Sequence, residues 1–306
     1  MQLTHLRPMS FGEILDSAFG LYRRHFVPLF VTALIPMAIA ALLGAVIGGT
    51  ALTSGGAEGN PDRYFAAIFP ITALTFIMLI AMYGALTREV AQAWTGAPVS
   101  VGDGYRAGFR SFLTILASSV VLAIISFVAI FVVVLALGIV VGIVAAATGA
   151  AAGGAESILA AAGVLGAVLA IVSFLGIFLF LASYFAFLPA IVLEGAGPLR
   201  ALGRSMQLAR GARWRVIGIL VTTWLIVILP TIGATILTGG MSMITNPGAP
   251  PSATTFLVQQ AVGGIVGALT YPFMIAAIVL LYFDRRVRSE ALDVQMATDA
   301  LAPIPG

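Results

Sequence analysis

Residues 10–26 read SFGEILDSAFGLYRRHF, a serine-capped, acidic stretch that runs into two arginines and then, at Phe26, into unbroken apolar sequence. Three readings compete for such a segment: the start of a soluble domain, a cleavable targeting signal, or a helix lying on a membrane. Ser10 followed three residues later by Glu13 is a capping box, in which each side chain satisfies the other residue's backbone N–H. Met9 and Ile14 stand at the positions of a hydrophobic staple. Phe11, Ile14, Leu15, Ala18, Phe19 and Tyr22 follow helical spacing on one face, and Glu13, Asp16, Ser17, Gly20 and Arg24 occupy much of the other. A cleavable signal puts its positive charge first and carries no acidic amphipathic turn. Here Arg23 and Arg24 come last, at phosphate level, before the chain dives. Residues 10–24 are therefore predicted to form an interfacial helix with its apolar side down.

The composition of the whole chain agrees. Of 306 residues, 60% are hydrophobic and 9% charged, with mean hydropathy +1.10. A globular protein carries about 25% charged residues, so this chain lacks the polar groups to cover a water-facing surface of its size, and its exterior must face lipid. The apolar runs are long and continuous, unlike the short alternating segments of a transmembrane β-barrel. The predicted class is all-α: a polytopic membrane protein with six transmembrane helices and amphipathic interfacial helices. There is no Cys, which excludes disulfides and thiolate metal sites. All fifteen basic residues are Arg. They cluster beside apolar segments, so the pI near 9.6 is no signal of nucleic-acid binding.

Crossing about 30 Å of hydrocarbon takes roughly 20 apolar residues. Spans are predicted near 26–50, 64–87, 112–147, 157–193, 214–240 and 255–283, separated by polar or Gly-rich breaks such as TSGGAEGNPDR and TNPGAPPSAT. The third and fourth runs exceed one crossing and read as long, tilted or bent helices. Residues 1–290 thus form a single integral membrane domain, followed by a short tail at 291–306. With the N-terminus inside, fourteen of the fifteen Arg fall on cytoplasmic segments and Arg63 alone falls outside. Short loops retain Arg on the cytoplasmic side, so six spans with both termini cytoplasmic, in a bacterial inner membrane, are expected.

The opening pattern recurs. Residues 100–112 read SVGDGYRAGFRSF, and Ser100, Gly102, Asp103 and Phe109 match Ser10, Gly12, Glu13 and Phe19 at a constant offset of 90. A third version, GPLRALGRSMQLARGARWRV, starts at Pro198, suited to a first helical turn, and leads into the fifth span at Trp214. Its apolar face is predicted as Leu199, Leu202, Met206 and Ala209, with Arg200, Arg204 and Gln207 opposite. The chain reads as three units, each a surface helix followed by a two-helix hairpin; chance matching in a biased sequence is the alternative.

Three segments at the cytoplasmic edge also carry a resemblance: LRPMSFGEILDSAFGLYRRHF, LPAIVLEGAGPLRALGRSMQLARGARWRVIG and PFMIAAIVLLYFDRRVRSEALDV. Together they resemble the glycerophosphoryl diester phosphodiesterase membrane-domain family, integral membrane proteins mostly of unassigned function. That name derives from members fused to a soluble phosphodiesterase barrel, whose chemistry requires paired His and metal-binding carboxylates. This chain has only His5 and His25 and no soluble stretch to fold a barrel, so the resemblance does not imply phosphodiesterase activity.

Chemistry-bearing motifs are sparse. There is no HExxH and no cluster with metal-ligand spacing, and no Gly-rich loop follows a strand; no metal and no cofactor are expected. Ser118, Ser119, Ser173 and Ser183 sit in apolar sequence without a nearby His and read as interhelical hydrogen-bonders. No Asp, Glu or Arg falls mid-span, which argues against a proton-coupled or ion-coupled transporter. Gly44/Gly48, Gly138/Gly142 and Gly263/Gly267 are small-residue pairs for close helix packing. Pro28, Pro36, Pro70, Pro189, Pro230 and Pro272 fall in or near five spans.

The most specific signal is the charged edge. Glu194 follows the fourth span and Asp284 ends the sixth, surrounded by Arg200, Arg204, Arg210, Arg213, Arg215, Arg285 and Arg286. Acid–Arg pairs there would lock the surface helices to the bundle, while the remaining cations, with Arg23, Arg24 and the amphipathic Trp214, would meet lipid phosphates. The expected partners are anionic membrane lipids, with a second copy of the chain or another membrane protein as further candidates. The expected function is a non-enzymatic membrane-embedded binding or scaffold domain. The alternative is a transport component with a pathway between Pro-kinked helices.

Overall fold

The computed structural model describes residues 7–53, 61–147, 182–240 and 253–290, with a few further positions between 163 and 180. Every regular element among them is helical: α1 (Phe11–Arg24), α2 (Phe26–Thr53), α3 (Pro61–Trp94), α4 (Val101–Ala147), α5 (Phe187–Glu194), α6 (Pro198–Ala209), α7 (Arg213–Thr235) and α8 (Ala253–Glu290).

The capping box is formed as the sequence predicts. The Ser10 hydroxyl accepts from the Glu13 N–H at 3.3 Å, and Glu13 Oε2 accepts from the Ser10 N–H at 2.6 Å. Arg7 adds an ion pair to Glu13 at 2.6 Å. The Ser10 N–H first, and then the Arg7 guanidinium, hold the Glu13 carboxyl down to a pKa of about 2 from its ordinary 4.5. Because the folded value is the lower one, the cap's contribution is fully present above about 4.5 and is lost as pH falls through about 2. Amide exchange in the first turn of α1, corrected for intrinsic rate, is therefore expected to accelerate over that window while the first turn of α7, which has no carboxylate cap, does not. Parallel behaviour of the two turns would sink this assignment.

α1 ends where α2 must begin afresh. Pro28 lacks the N–H that a continuous helix would direct at the carbonyl of Arg24, and the chain breaks at His25, φ −112° and ψ 32°. No such breaker separates residues 100–112 from the third span. The surface helix predicted there is instead the first part of α4, a continuous helix of 47 residues. At 1.5 Å per residue it is about 70 Å long, more than twice the hydrocarbon thickness. α3 likewise runs on past the predicted end of its span to Trp94, so the expected loop at 88–111 shrinks to the residues between Trp94 and Val101.

Five stretches have the length and apolarity to cross a membrane: Phe26–Val46, Thr72–Trp94, Val101–Val140, Arg213–Gly239 and Leu257–Glu290. The fourth predicted span, 157–193, lies for the most part outside the described residues; its described end is α5. The tail at 291–306 lies outside them as well.

α8 occupies the centre of the bundle and packs against α2, α7, α1 and α3, while α3 packs along α4. The core is not spread evenly along the helices. Ile14, Leu29, Leu86, Val90, Ile219, Leu280, Leu281 and Tyr282 are buried, and they gather at the end where the arginines lie, the basic end of the bundle. Farther along α4, Phe127, Val128 and Phe131 are exposed, an apolar surface suited to acyl chains.

Helix approach is closest where α3 meets α4. A Cβ on Gly84 would lie 2.8 Å from the Cα of Gly108, and one on Gly108 would overlap the carbonyl oxygen of Ala81. The small-residue pair that works is thus interhelical, Gly84 with Gly108. Of the three predicted pairs, Gly138, Gly142 and Gly263 have nothing within 4 Å, whereas Gly44 faces Gln260 and Gly267 faces Met37, as does Gly264, which was not among them.

Candidate functional site

The basic end is built from two clasps. The first begins with a helix stop. α5 ends at Glu194 because Gly195 adopts φ 67° and returns its N–H to Ile191, while the N–H of Ala196 reaches Ala190, the left-handed C-cap that glycine favours. The chain turns, Pro198 opens α6 as its first residue, and one turn and a half later Arg204 faces back toward Glu194. Ser205, buried on the same helix, accepts the N–H of Ala186 at 2.9 Å and fixes α6 against the start of α5. The buried face of α6 is Ala201, Leu202, Ser205, Leu208 and Ala209. The predicted apolar positions Leu199 and Met206 are exposed instead, because the stripe facing the bundle is rotated toward the small residues that allow close approach.

Arg204 bridges two carboxylates. Its Nε lies 3.1 Å from Glu194 Oε2, and its Nη2 donates to Glu290 Oε2 at 2.7 Å. Arg286 joins from α8, 3.0 Å from Glu290 and 3.7 Å from Glu194. The Tyr282 hydroxyl donates to Glu194 Oε1 at 2.5 Å, with Arg286 over its ring at 5.7 Å. The hydrogen bond to Glu290 raises the Arg204 pKa, and Glu194 adds to it. Two guanidiniums here face two carboxylates, so the clasp is saturated. Beside it lies a depression of about 710 Å³ lined by Glu194, Arg200, Gly203, Arg204, Gln207 and Glu290.

The second clasp joins the two ends of the bundle's sequence. Asp284 on α8 is completely buried. It accepts from the Met9 N–H at 2.8 Å and from Arg288 at 3.1 and 3.2 Å, and lies 3.2 Å from Arg215 Nη2 at the start of α7. The Met9 carbonyl accepts in turn from Arg288, at 2.8 Å, and from Arg215. Arg285 donates to the carbonyls of Leu208, 2.8 Å, and Arg210, 3.1 Å. Those are carbonyls at the C-terminal end of α6, which helix geometry leaves without partners and which favour a cation. Gly211, with φ 73°, then turns the chain into α7.

The second clasp is not saturated. A depression of about 650 Å³ is lined by Arg210, Gly211, Ala212, Arg213, Trp214, Arg215, Arg285 and Arg288. Among the described residues, five guanidiniums surround it against the one carboxylate of Asp284, and Trp214 stands 74% exposed at its rim. Arg215, Arg285 and Arg288 are held in place by their hydrogen bonds, so the positive field is preorganised. Arg210 and Arg213 are exposed and complete it.

The sequence-derived residues thus separate. Glu194, Arg204 and Arg286 meet in the first clasp; Arg215, Asp284 and Arg285 meet in the second; Arg210, Arg213 and Trp214 line its depression. Arg200 lines the first depression, and Arg23 and Arg24 are exposed at the end of α1, apart from both clasps. Sequence reasoning passed over Arg288, Glu290 and Tyr282. The spacing Asp284–Arg288 and Arg286–Glu290, one helical turn each, was the available signal. It also passed over a third basic depression, about 330 Å³, where Arg88, Arg106 and Arg110 gather around Asp103. Among the described residues, no group of three or more His, Cys, Asp or Glu is placed to hold a metal ion.

Membrane-crossing helices, with interfacial helices clasped to one end by guanidinium–carboxylate pairs, define an all-α polytopic membrane protein. The chain belongs to the family described as "Domain of unknown function (DUF7847)", which matches residues 9–284. The match begins and ends on the two residues whose hydrogen bond ties α1 to α8. Neither a curated protein nor a solved structure matches the chain.

Proposed function

We propose that this domain is a membrane-embedded binding module that recognises the phosphate of anionic lipid headgroups at its basic end. One observation carries the reading: the depression in which five guanidiniums stand against one carboxylate beside the exposed Trp214. A fixed surplus of cations beside an amphipathic aromatic suits a headgroup phosphate above and acyl chains below. On this reading the basic end faces the cytoplasm of a bacterial cell, both termini lie on that side, and the membrane is the inner one, in keeping with the retention of Arg inside. The module works as a scaffold without catalysis of its own, with anionic lipids as its partners and a second copy or another membrane protein as a further one. The resemblance to the glycerophosphoryl diester phosphodiesterase membrane-domain family rests on the same edge segments and adds no chemistry to this role.

The test uses purified full chain in nanodiscs of mixed neutral and anionic phospholipid. Each cation near an anionic leaflet contributes about 1 kcal/mol, so Arg210→Gln with Arg213→Gln is expected to weaken retention of anionic lipid by roughly 2 kcal/mol, about 30-fold. Neither residue forms part of a clasp ion pair, so folding should be spared. Equal retention of neutral and anionic lipid by the wild type would refute the reading.

A second reading, a transport component, has its own support. A cavity of about 220 Å³ lies between α2, α7 and α8, lined by residues that include Met37, Thr231, Gln260, Gly264 and Tyr271. Each of the three helices carries an internal proline beside it: Pro36, Pro230 and Pro272.

A further inference from the structure

The polar break expected at 88–111 gives way to helix at Glu89. The continuation of α3 to Trp94 carries this residue into the bundle, where it is completely buried. An ionisable group within a membrane bundle points to function by default. Its surroundings follow from one proline. Pro36 has no N–H to give to the carbonyl of Thr32 one turn earlier. That carbonyl is taken by the Tyr105 hydroxyl from α4, at 2.7 Å. The Thr32 hydroxyl then donates across the helix interface to Glu89 Oε1, also at 2.7 Å. α4 makes room for the carboxyl by presenting Gly104, where a Cβ would lie 2.9 Å from Glu89 Cγ. Among the described residues, Glu89 Oε2 is buried with no hydrogen-bond partner.

Among the described residues, no ion pair balances a charge on this carboxyl. α2 carries no titratable side chain between Phe26 and Thr53. On α4, Tyr105 is committed to Thr32, while Asp103 and Arg106 pair with each other at 3.6 Å on the exposed face. Arg88, the neighbour on α3, is exposed, and Tyr83 of α3 packs edge-on against Tyr271 of α8. On α5, Glu194 is held by Arg204 and Tyr282. A bare carboxylate is strongly disfavoured in such a place. The groups gathered here, a carboxylate, two hydroxyls and a carbonyl that Pro36 leaves without its helical donor, all offer oxygen, the donor set of hard cations.

We propose that Glu89, Thr32 and Tyr105 form a buried site for a monovalent cation, either a proton or a sodium ion, one turn from Pro36 where α2, α3 and α4 meet. The inference does not depend on lipid recognition at the basic end. The site ties three helices together only while the carboxyl charge is matched, so occupancy sets how tightly they pack.

Full chain in nanodiscs of neutral lipid separates this from the headgroup reading. Melting is followed in sodium chloride against choline chloride at constant ionic strength and across pH, together with the infrared band of a protonated carboxyl, for wild type and Glu89→Gln. If sodium is the ligand, the wild-type melting temperature rises with sodium and the rise is lost entirely in Glu89→Gln. If the proton is the ligand, sodium has no effect, and a protonated-carboxyl band is present that Glu89→Gln removes. A wild type that shows neither response overturns the proposal, and so does a response that Glu89→Gln retains in full. Should Glu89→Gln fail to fold, Tyr105→Phe, which keeps the carboxylate but takes one hydroxyl from the site, is expected to shift the midpoint of the wild-type response or abolish it; a response with an unchanged midpoint overturns the site.

Discussion

Asp284→Ala is expected to destabilise the domain more than any other single change at the basic end, by about 3–5 kcal/mol. The carboxylate is completely buried and holds Arg215, Arg288 and the Met9 N–H together. Its removal leaves two guanidiniums of a partly buried cluster facing each other and a backbone donor without an acceptor. Breaking one partner of such a pair costs more than the pair itself contributes, because the remaining charge stays desolvated. Asp284→Asn keeps one acceptor oxygen for Met9 and should lose less. The measurement is thermal melting in nanodiscs, with proteolysis near Met9 as a local readout. Melting of Asp284→Ala at the wild-type temperature would show that the clasp is ornamental to stability.

Gly108→Leu is the second large effect. Even a single Cβ at this position would overlap the Ala81 carbonyl, a backbone atom that cannot rotate away. Overpacking a close contact typically costs about 1–3 kcal/mol, and Gly108→Ala should fall in that range, with Gly108→Leu beyond it. The damage also reaches Glu89, since α3 and α4 cannot part at Gly108 without moving Gly104 from the carboxyl. Gly138→Leu, farther along the same helix with open space around it, serves as the control and should be tolerated. If the two variants melt alike, the α3–α4 approach is not tight in the membrane.

Much of this was legible in the residues. Length and hydropathy alone mark five of the spans, because lipid leaves a chain no other way to satisfy its backbone. Ser10 and Glu13 announce the start of α1 by local chemistry, and Pro198 does the same for α6. Charge near Glu194 and Asp284 marks the edge as the place where side chains meet. What the sequence did not disclose was register. Whether Leu199 or Ala201 faces the bundle depends on partners far along the chain, and small residues on an amphipathic helix are as ready to face protein as large ones. Residues 100–112 resemble residues 10–22 in pattern, but only the latter precede a proline, so only they form a separate helix. Glu89 was misplaced for the same reason: it sits next to an arginine, which reads as a loop, whereas helix continuity turns it inward.

The hydrogen bond between Met9 and Asp284 spans 275 residues of chain. At a synthesis rate of about 5–20 residues per second, those 275 residues occupy the ribosome for roughly 14–55 s. Throughout that interval α1 exists without its carboxylate partner, and its capping box and apolar face must hold it in place alone. The last of the described helices to be made is also the one at the bundle's centre, so the earlier ones wait around a vacant axis until it arrives. A nascent chain that stops before Asp284 would have α1 and the start of α8 unjoined, which makes synthesis of the end of α8 the step that closes the clasp.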